Sequence, residues 1–229
     1  MTVTDIKLAN PSLRDVHGKI EKAARIAGRK SSEVMLIAVS KTRSVDEIRL
    51  LIAAGHRVFG ENRVQEAAEK WPALKAEYPD LELHMVGQLQ SNKAGEAVAL
   101  FDTIHSVDRP SLIKALAREM DRQDRRIPCF LQVNIGEESQ KGGCDIPAIA
   151  ELLEQARKSG LPVVGLMAVP PSNANPAPYF ALLAKLARDH GLDRLSMGMS
   201  GDFETAVKLG ATHVRVGTAL FGPRAAQAA

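Results

Sequence analysis

The sequence predicts an α/β protein, a single (β/α)8 TIM barrel with an extra N-terminal helix. Three observations carry that prediction. Eight short β-like runs recur along the chain, helical stretches separate them, and the 229 residues contain no Pro/Gly-rich linker or composition shift marking a second domain. Strands alternating with helices of this length argue for parallel pairing. Eight such units in a chain of this size suggest closure rather than an open doubly wound sheet. Residues 1–229 are therefore read as one domain, with a helical segment over residues 1–30 and the barrel over residues 34–222.

The first element is a helix that Asn10 can cap, with Pro11 suited to its first position and Gly28 able to close it. Leu13, Val16, Ile20, Ala23 and Ala27 form its apolar stripe. The strands follow at Val34–Ser40, Arg57–Phe59, Glu82–Val86, Thr103–Ser106, Pro128–Asn134, Val163–Ala168, Arg194–Ser196 and His213–Val216. Helices are predicted over Val45–Ala54, Arg63–Ala76, Asn92–Leu100, Pro110–Asp121, Ile146–Lys158, Ala177–His190 and Asp202–Leu209. The first of these has a capping box, Ser44 with Glu47, and a terminating Gly55. Pro170, Pro171, Pro176 and Pro178 punctuate one long loop after the sixth strand, a lid or a connection.

Composition narrows the functional classes. The hydrophobic fraction is 45% and the charged fraction 25%, as in an ordinary soluble globule. Net charge is +3, and the local cluster Arg122, Arg125 and Arg126 is interleaved with Asp121 and Asp124, which reads as a solvated helix end and not a nucleic-acid patch. Cys129 and Cys144 form neither a disulfide framework nor a redox pair, and Cys129 reads as a small buried hydrophobe. The N-terminus lacks the apolar core of a signal peptide, and no segment approaches the roughly 20 apolar residues of a membrane span. A cytoplasmic location is expected. No His-x-x-x-His or His-Glu pair appears, so no metal site is expected, and His84 and His105 read as hydrogen-bonded barrel residues. Walker, dinucleotide and Gly-x-Ser-x-Gly signatures are also missing.

Function in such a barrel sits at the C-terminal ends of the strands. Lys41 follows the apolar run from Val34 and shares a face with Ile37 and Val39. An amine entering the interior there loses hydration, which frees its lone pair for attack on an aldehyde. An ordinary lysine snorkelling from a strand end is the alternative. Ser200 could cap the following helix and donate its hydroxyl to an oxyanion. Gly217 and Thr218 open a second, final short helix, and together the two helix starts would make a phosphate cup. Two helix caps without a ligand are the alternative. Arg215 alternates with Val214 and Val216, so it faces opposite to them. Meeting a pyridine nitrogen, it would leave that nitrogen unprotonated and the ring a weak electron sink. A salt bridge within the barrel wall is its other reading.

These segments occur together in a recognisable order. Ala38–Lys41, Phe59–Asn62, His84–Lys93, Leu166–Met167, Ser196–Ser200 and Arg215–Gly222 closely resemble the YggS/PROSC family of pyridoxal phosphate homeostasis proteins. The resemblance covers nearly the whole chain from Val34 onward. It implies a barrel like the N-terminal domain of bacterial alanine racemase, with pyridoxal 5′-phosphate (PLP) held as a Schiff base on Lys41. It further implies Ser200, Gly217 and Thr218 as phosphate contacts, Arg215 as the partner of the pyridine nitrogen, and Asn62 and Met85 lining the cofactor. One loop departs from the family pattern: Gln140 stands where serine often precedes the lysine, so Lys141 is left outside the site.

Three functions compete at this stage. The first is a carrier that buffers PLP and delivers it to apoenzymes. The second is a weak PLP-dependent amino-acid racemase or lyase with Lys41 as its only base. The third is a phosphosugar-binding barrel in which Lys41 is structural or forms a sugar imine. A racemase needs acid and base groups on opposite faces of the substrate carbanion. In the racemase relative the second is a tyrosine from an additional domain, which the sequence to Ala229 is expected to lack, and Tyr78 and Tyr179 are no obvious substitutes. Robust catalysis is therefore not expected. A monomer is expected, since no exposed apolar stripe calls for a partner.

Overall fold

The computed structural model describes residues 10–223. Eight parallel strands close in sequence order into a barrel. They are β1 (Met35–Val39), β2 (Val58–Glu61), β3 (Glu82–Met85), β4 (Thr103–Val107), β5 (Cys129–Gln132), β6 (Val163–Met167), β7 (Arg194–Ser196) and β8 (His213–Val216). The helices are α1 (Pro11–Ile26), α2 (Val45–Ala53), α3 (Val64–Glu77), α4 (Ala94–Leu100), α5 (Pro110–Arg122), α6 (Ile149–Lys158), α7 (Ala177–Asp189), α8 (Phe203–Lys208) and α9 (Thr218–Phe221). Each predicted strand and helix is present, with ends shifted by a few residues. The helices expected from Asn92 and Ile146 begin instead as 3-10 turns, Ser91–Lys93 and Ile146–Ala148, and become α-helical from Ala94 and Ile149.

Local chemistry fixes the ends. The Asn10 side chain accepts the Leu13 N–H at 3.0 Å, and Pro11 occupies the first turn of α1. Ser44 and Glu47 form the capping box of α2. α1 buries Leu13, Val16, Ile20, Ala23 and Ala24, whereas Ala27 of the predicted stripe is half-buried at the helix end. It packs against α8 and α9, and Arg29 ties its end to the Val207 and Ala211 carbonyls at 3.1 and 3.0 Å. The extra helix thus covers the part of the outer ring that four-residue α9 is too short to fill.

Strand alternation separates two environments. Leu36, Ala38, Phe59, Leu83, Leu131 and Val214 join the apolar layer beneath the helices. Arg215 pairs in register with Ile37 and His84 with Gly60, and these positions point into the barrel. The interior is crowded there, since a Cβ on Gly60 would lie 2.8 Å from Ile37 Cγ2. Both cysteines are free and buried, and burial pushes the Cys144 thiol up to about 12. Among the described residues, no helix is long and apolar enough to cross a membrane, and no group of three or more His, Cys, Asp or Glu side chains could hold a metal ion.

Candidate functional site

The C-terminal ends of β1, β2, β7 and β8 surround a cavity of about 430 Å³. Lys41, Asn62, Ser200, Arg215, Gly217 and Thr218 all line it, although they come from distant parts of the chain. Arg43, Val169 and Met199 complete much of its wall. Met85 does not line it. Strand parity is the reason: His84 points inward, so Met85 turns outward into the core and borders a neighbouring depression shared with Asn62. Lys141 also lies elsewhere, donating to the Pro170 carbonyl at 3.0 Å and pairing with Glu138.

Lys41 stands in a turn two residues past the end of β1 and is half-buried. The next residue, Thr42, has φ +62°, a region that β-branched residues rarely enter. Contacts from α3 hold the strained turn in place. Glu66 accepts the Thr42 N–H at 2.6 Å, and Lys70 donates to the Ser40 carbonyl at 3.1 Å. Lys70 also bridges Glu66 at 2.8 Å and Glu61 at 2.7 Å. Glu61 in turn accepts the Ser40 hydroxyl at 2.8 Å and the Trp71 indole N–H at 3.1 Å. Burial raises the Glu61 pKa, opposed by Lys70, Trp71 and Ser40. Sequence reasoning missed this clamp; its one local signal was the i,i+4 spacing of Glu66 and Lys70.

Arg215 is buried at 5% exposure. Its Nη1 donates to Ser196 Oγ at 2.6 Å and its Nη2 to the Ala168 carbonyl at 3.0 Å. Among the described residues no carboxylate pairs with it, which overturns the alternative of a wall salt bridge. Burial pushes its pKa down to about 10, so it remains a cation near neutrality. A buried charge hydrogen-bonded to dipoles and paired with no carboxylate among the described residues is costly, and its remaining N–H groups suit a ligand acceptor.

The anion cup also differs from expectation. Ser200 does not cap α8; Asp202 occupies that N-cap position and accepts the Met199 N–H at 2.6 Å. The Ser200 oxygen instead accepts the N–H groups of Gly217 at 3.2 Å and Ala219 at 3.3 Å. Two backbone donors at the start of α9 therefore converge where an oxyanion could be received, with the hydroxyl beside them. Gly217 lies close to β1, since a Cβ there would stand 3.3 Å from the Val39 carbonyl oxygen.

Comparison with known proteins agrees with this geometry. Residues 14–225 match the family described as alanine racemase, N-terminal domain. The pyridoxal phosphate homeostasis protein of Pseudomonas aeruginosa is 42% identical over 93% of this chain and 94% of its own length. The chain belongs to the pyridoxal phosphate homeostasis protein family. The protein of the same name from Aquifex aeolicus is 40% identical over 90% of this chain and 94% of its own. PipY of Synechococcus elongatus, solved with PLP bound, matches with a TM-score of 0.76 and 40% identity, covering 89% of this chain and 100% of PipY. Membership of the homeostasis family bears out both the resemblance read from the motifs and the barrel.

Proposed function

We propose that this protein binds PLP reversibly as an intracellular homeostasis protein, holding it as a Schiff base on Lys41. The observation that carries the proposal is the convergence, in one cavity, of an amine, a buried arginine that no carboxylate pairs with among the described residues, and paired backbone N–H groups. PLP fits that donor set, because it offers an aldehyde, a ring nitrogen and a dianionic phosphate. When bound, it supplies an electrophilic carbonyl and a ring that can withdraw electrons. Lys41 is the nucleophile, and the clamp of Glu66, Lys70 and Glu61 aims its turn. Gly217, Thr218 and Ser200 receive the phosphate, while Arg215 faces the ring nitrogen and keeps it unprotonated. Asn62 borders the ring, and Met85 supports that wall from the core behind it.

A carrier is favoured over the weak racemase or lyase by what surrounds Lys41. Among the described residues lining the cavity there is no carboxylate, histidine, tyrosine or cysteine to act as a second acid or base. A cytoplasmic monomer that passes PLP to apoenzymes is the accompanying proposal, and the two free buried thiols fit the reducing compartment it names. The test is an absorbance titration of the purified protein with PLP, repeated on Lys41→Ala. The parent should turn yellow, and the variant should bind more weakly without the imine band. A colourless parent would contradict the proposal. Sustained exchange of the α-proton of an amino acid in deuterated water, with net turnover, would favour the enzyme instead.

A further inference from the structure

Barrel interiors of this kind are usually filled by branched aliphatic side chains. Here the level beneath Arg215 is polar: His84 of β3, His105 of β4, Ser196 of β7 and His213 of β8 are all buried. Counting donors along their contacts gives a chain with one direction. Arg215 Nη1 donates to Ser196 Oγ at 2.6 Å, so that oxygen is an acceptor. Its own proton is directed to His105 Nδ1, 2.7 Å away. His105 then carries its proton on Nε2 and donates to His84 Nδ1 at 2.9 Å. That leaves the His84 proton on Nε2, a buried atom with no hydrogen-bond partner, 3.7 Å from Glu82 Oε2 on a side chain that is 54% exposed. The opposite polarity would bring two donors onto Ser196 Oγ and leave its proton without an acceptor.

We propose that Ser196, His105 and His84 are positioning residues for Arg215, forming a relay that fixes the guanidinium at the cofactor ring and transmits cofactor occupancy toward the opposite rim. This rests on the reading of the cavity as a PLP site. A hydroxyl that donates to His105 is a stronger acceptor for Arg215, and loss of that link lets the guanidinium swing. The relay needs a neutral His105. Burial, then His84, His213 and Arg215, hold its pKa well below the usual imidazole value. Glu82, Arg194 and Asp202 are the other charged groups acting on the relay and its neighbours.

Two substitutions separate positioning from filling. His105→Phe keeps a ring to stack on Phe130, whose centroid lies 4.4 Å away, but removes both nitrogens. His105→Asn retains an acceptor near the Nδ1 position. His105→Phe should weaken PLP binding about tenfold and shift the pH midpoint of the bound cofactor's absorbance, with His105→Asn within about twofold of the parent. Parent-like affinity and spectra in both variants would overturn the relay. Should His105→Phe fail to fold, ¹⁵N NMR of histidine-labelled parent protein decides. Nε2–H tautomers at His105 and His84, with His84 resonances moving when PLP is added, are expected. An Nδ1–H tautomer at His105, or a His84 signal indifferent to PLP, would refute it. A parent that takes up no PLP would instead remove the reading of the cavity, and the relay's role with it.

Discussion

The two faces of the barrel wall do opposite kinds of work. Outward-facing Leu36, Phe59 and Leu83 are fully enclosed by helices, and their burial explains why the wall is stable. Inward-facing His84, His105, Ser196 and Arg215 are just as enclosed, yet their desolvation opposes folding. Among the described residues, Arg215 is hydrogen-bonded to dipoles and paired with no carboxylate. Stability accounts for the outer face, and under the proposed reading ligand binding accounts for the polar inner positions. Alternating residues on one strand therefore belong to different explanations.

Substitutions should divide along the same line. The largest loss of stability is expected from Trp71→Ala on the outer side. Trp71 is fully buried, lies 5.1 Å from the Phe59 ring and bonds Glu61. Urea unfolding should show a loss of about 3–5 kcal/mol. A loss below about 1 kcal/mol would break the comparison. Arg215→Met should behave in the reverse sense. The cofactor-free protein should be at least as stable as the parent, because a buried charge that no carboxylate pairs with among the described residues is replaced by an apolar chain. Its PLP affinity should fall about tenfold or more, as measured by absorbance titration.

Acid should act on the buried imidazoles. Burial depresses His56 to about 4 and His213 to about 3, against 6.5 for the ordinary group. Both are neutral in either state well above pH 6.5, so their contribution is constant there. As pH falls below that value the unfolded chain binds protons first. Stability should then be lost progressively down to pH 3–4. Unfolding free energies that stay flat between neutrality and pH 4 would contradict the burial of these rings. The smallest effect is expected at the lysine turn. Thr42→Gly should relieve the φ +62° strain and raise stability by about 1 kcal/mol or less, while leaving the Glu66 contact to the backbone N–H intact.

Much of this architecture was legible in the sequence because it is local. The alternation of β1, the Asn10 and Ser44 caps and the helix spacing depend on neighbours within a few residues. Lys41, Ser200, Gly217 and Thr218 were legible as strand-end positions once eight units were counted, Arg215 from its alternation with Val214 and Val216, and Asn62 from the family resemblance. Met85 shows the limit of that reasoning, since one residue of strand phase turns it from the cavity into the core. Ser200 shows another: its partners lie at the start of α9, beyond the next strand. His105 and Ser196 are 91 residues apart in sequence, and only barrel closure brings them within 2.7 Å. The clamp on the lysine turn was hidden likewise, because Glu61 looks like an exposed strand-end acid until Trp71 covers it.

The most direct test of the central claim is peptide-mapping mass spectrometry of the protein after incubation with PLP and reduction with borohydride. The account predicts a single reduced phosphopyridoxyl adduct, on the peptide containing Lys41. An adduct confined to another lysine, with Lys41 unmodified, would contradict it.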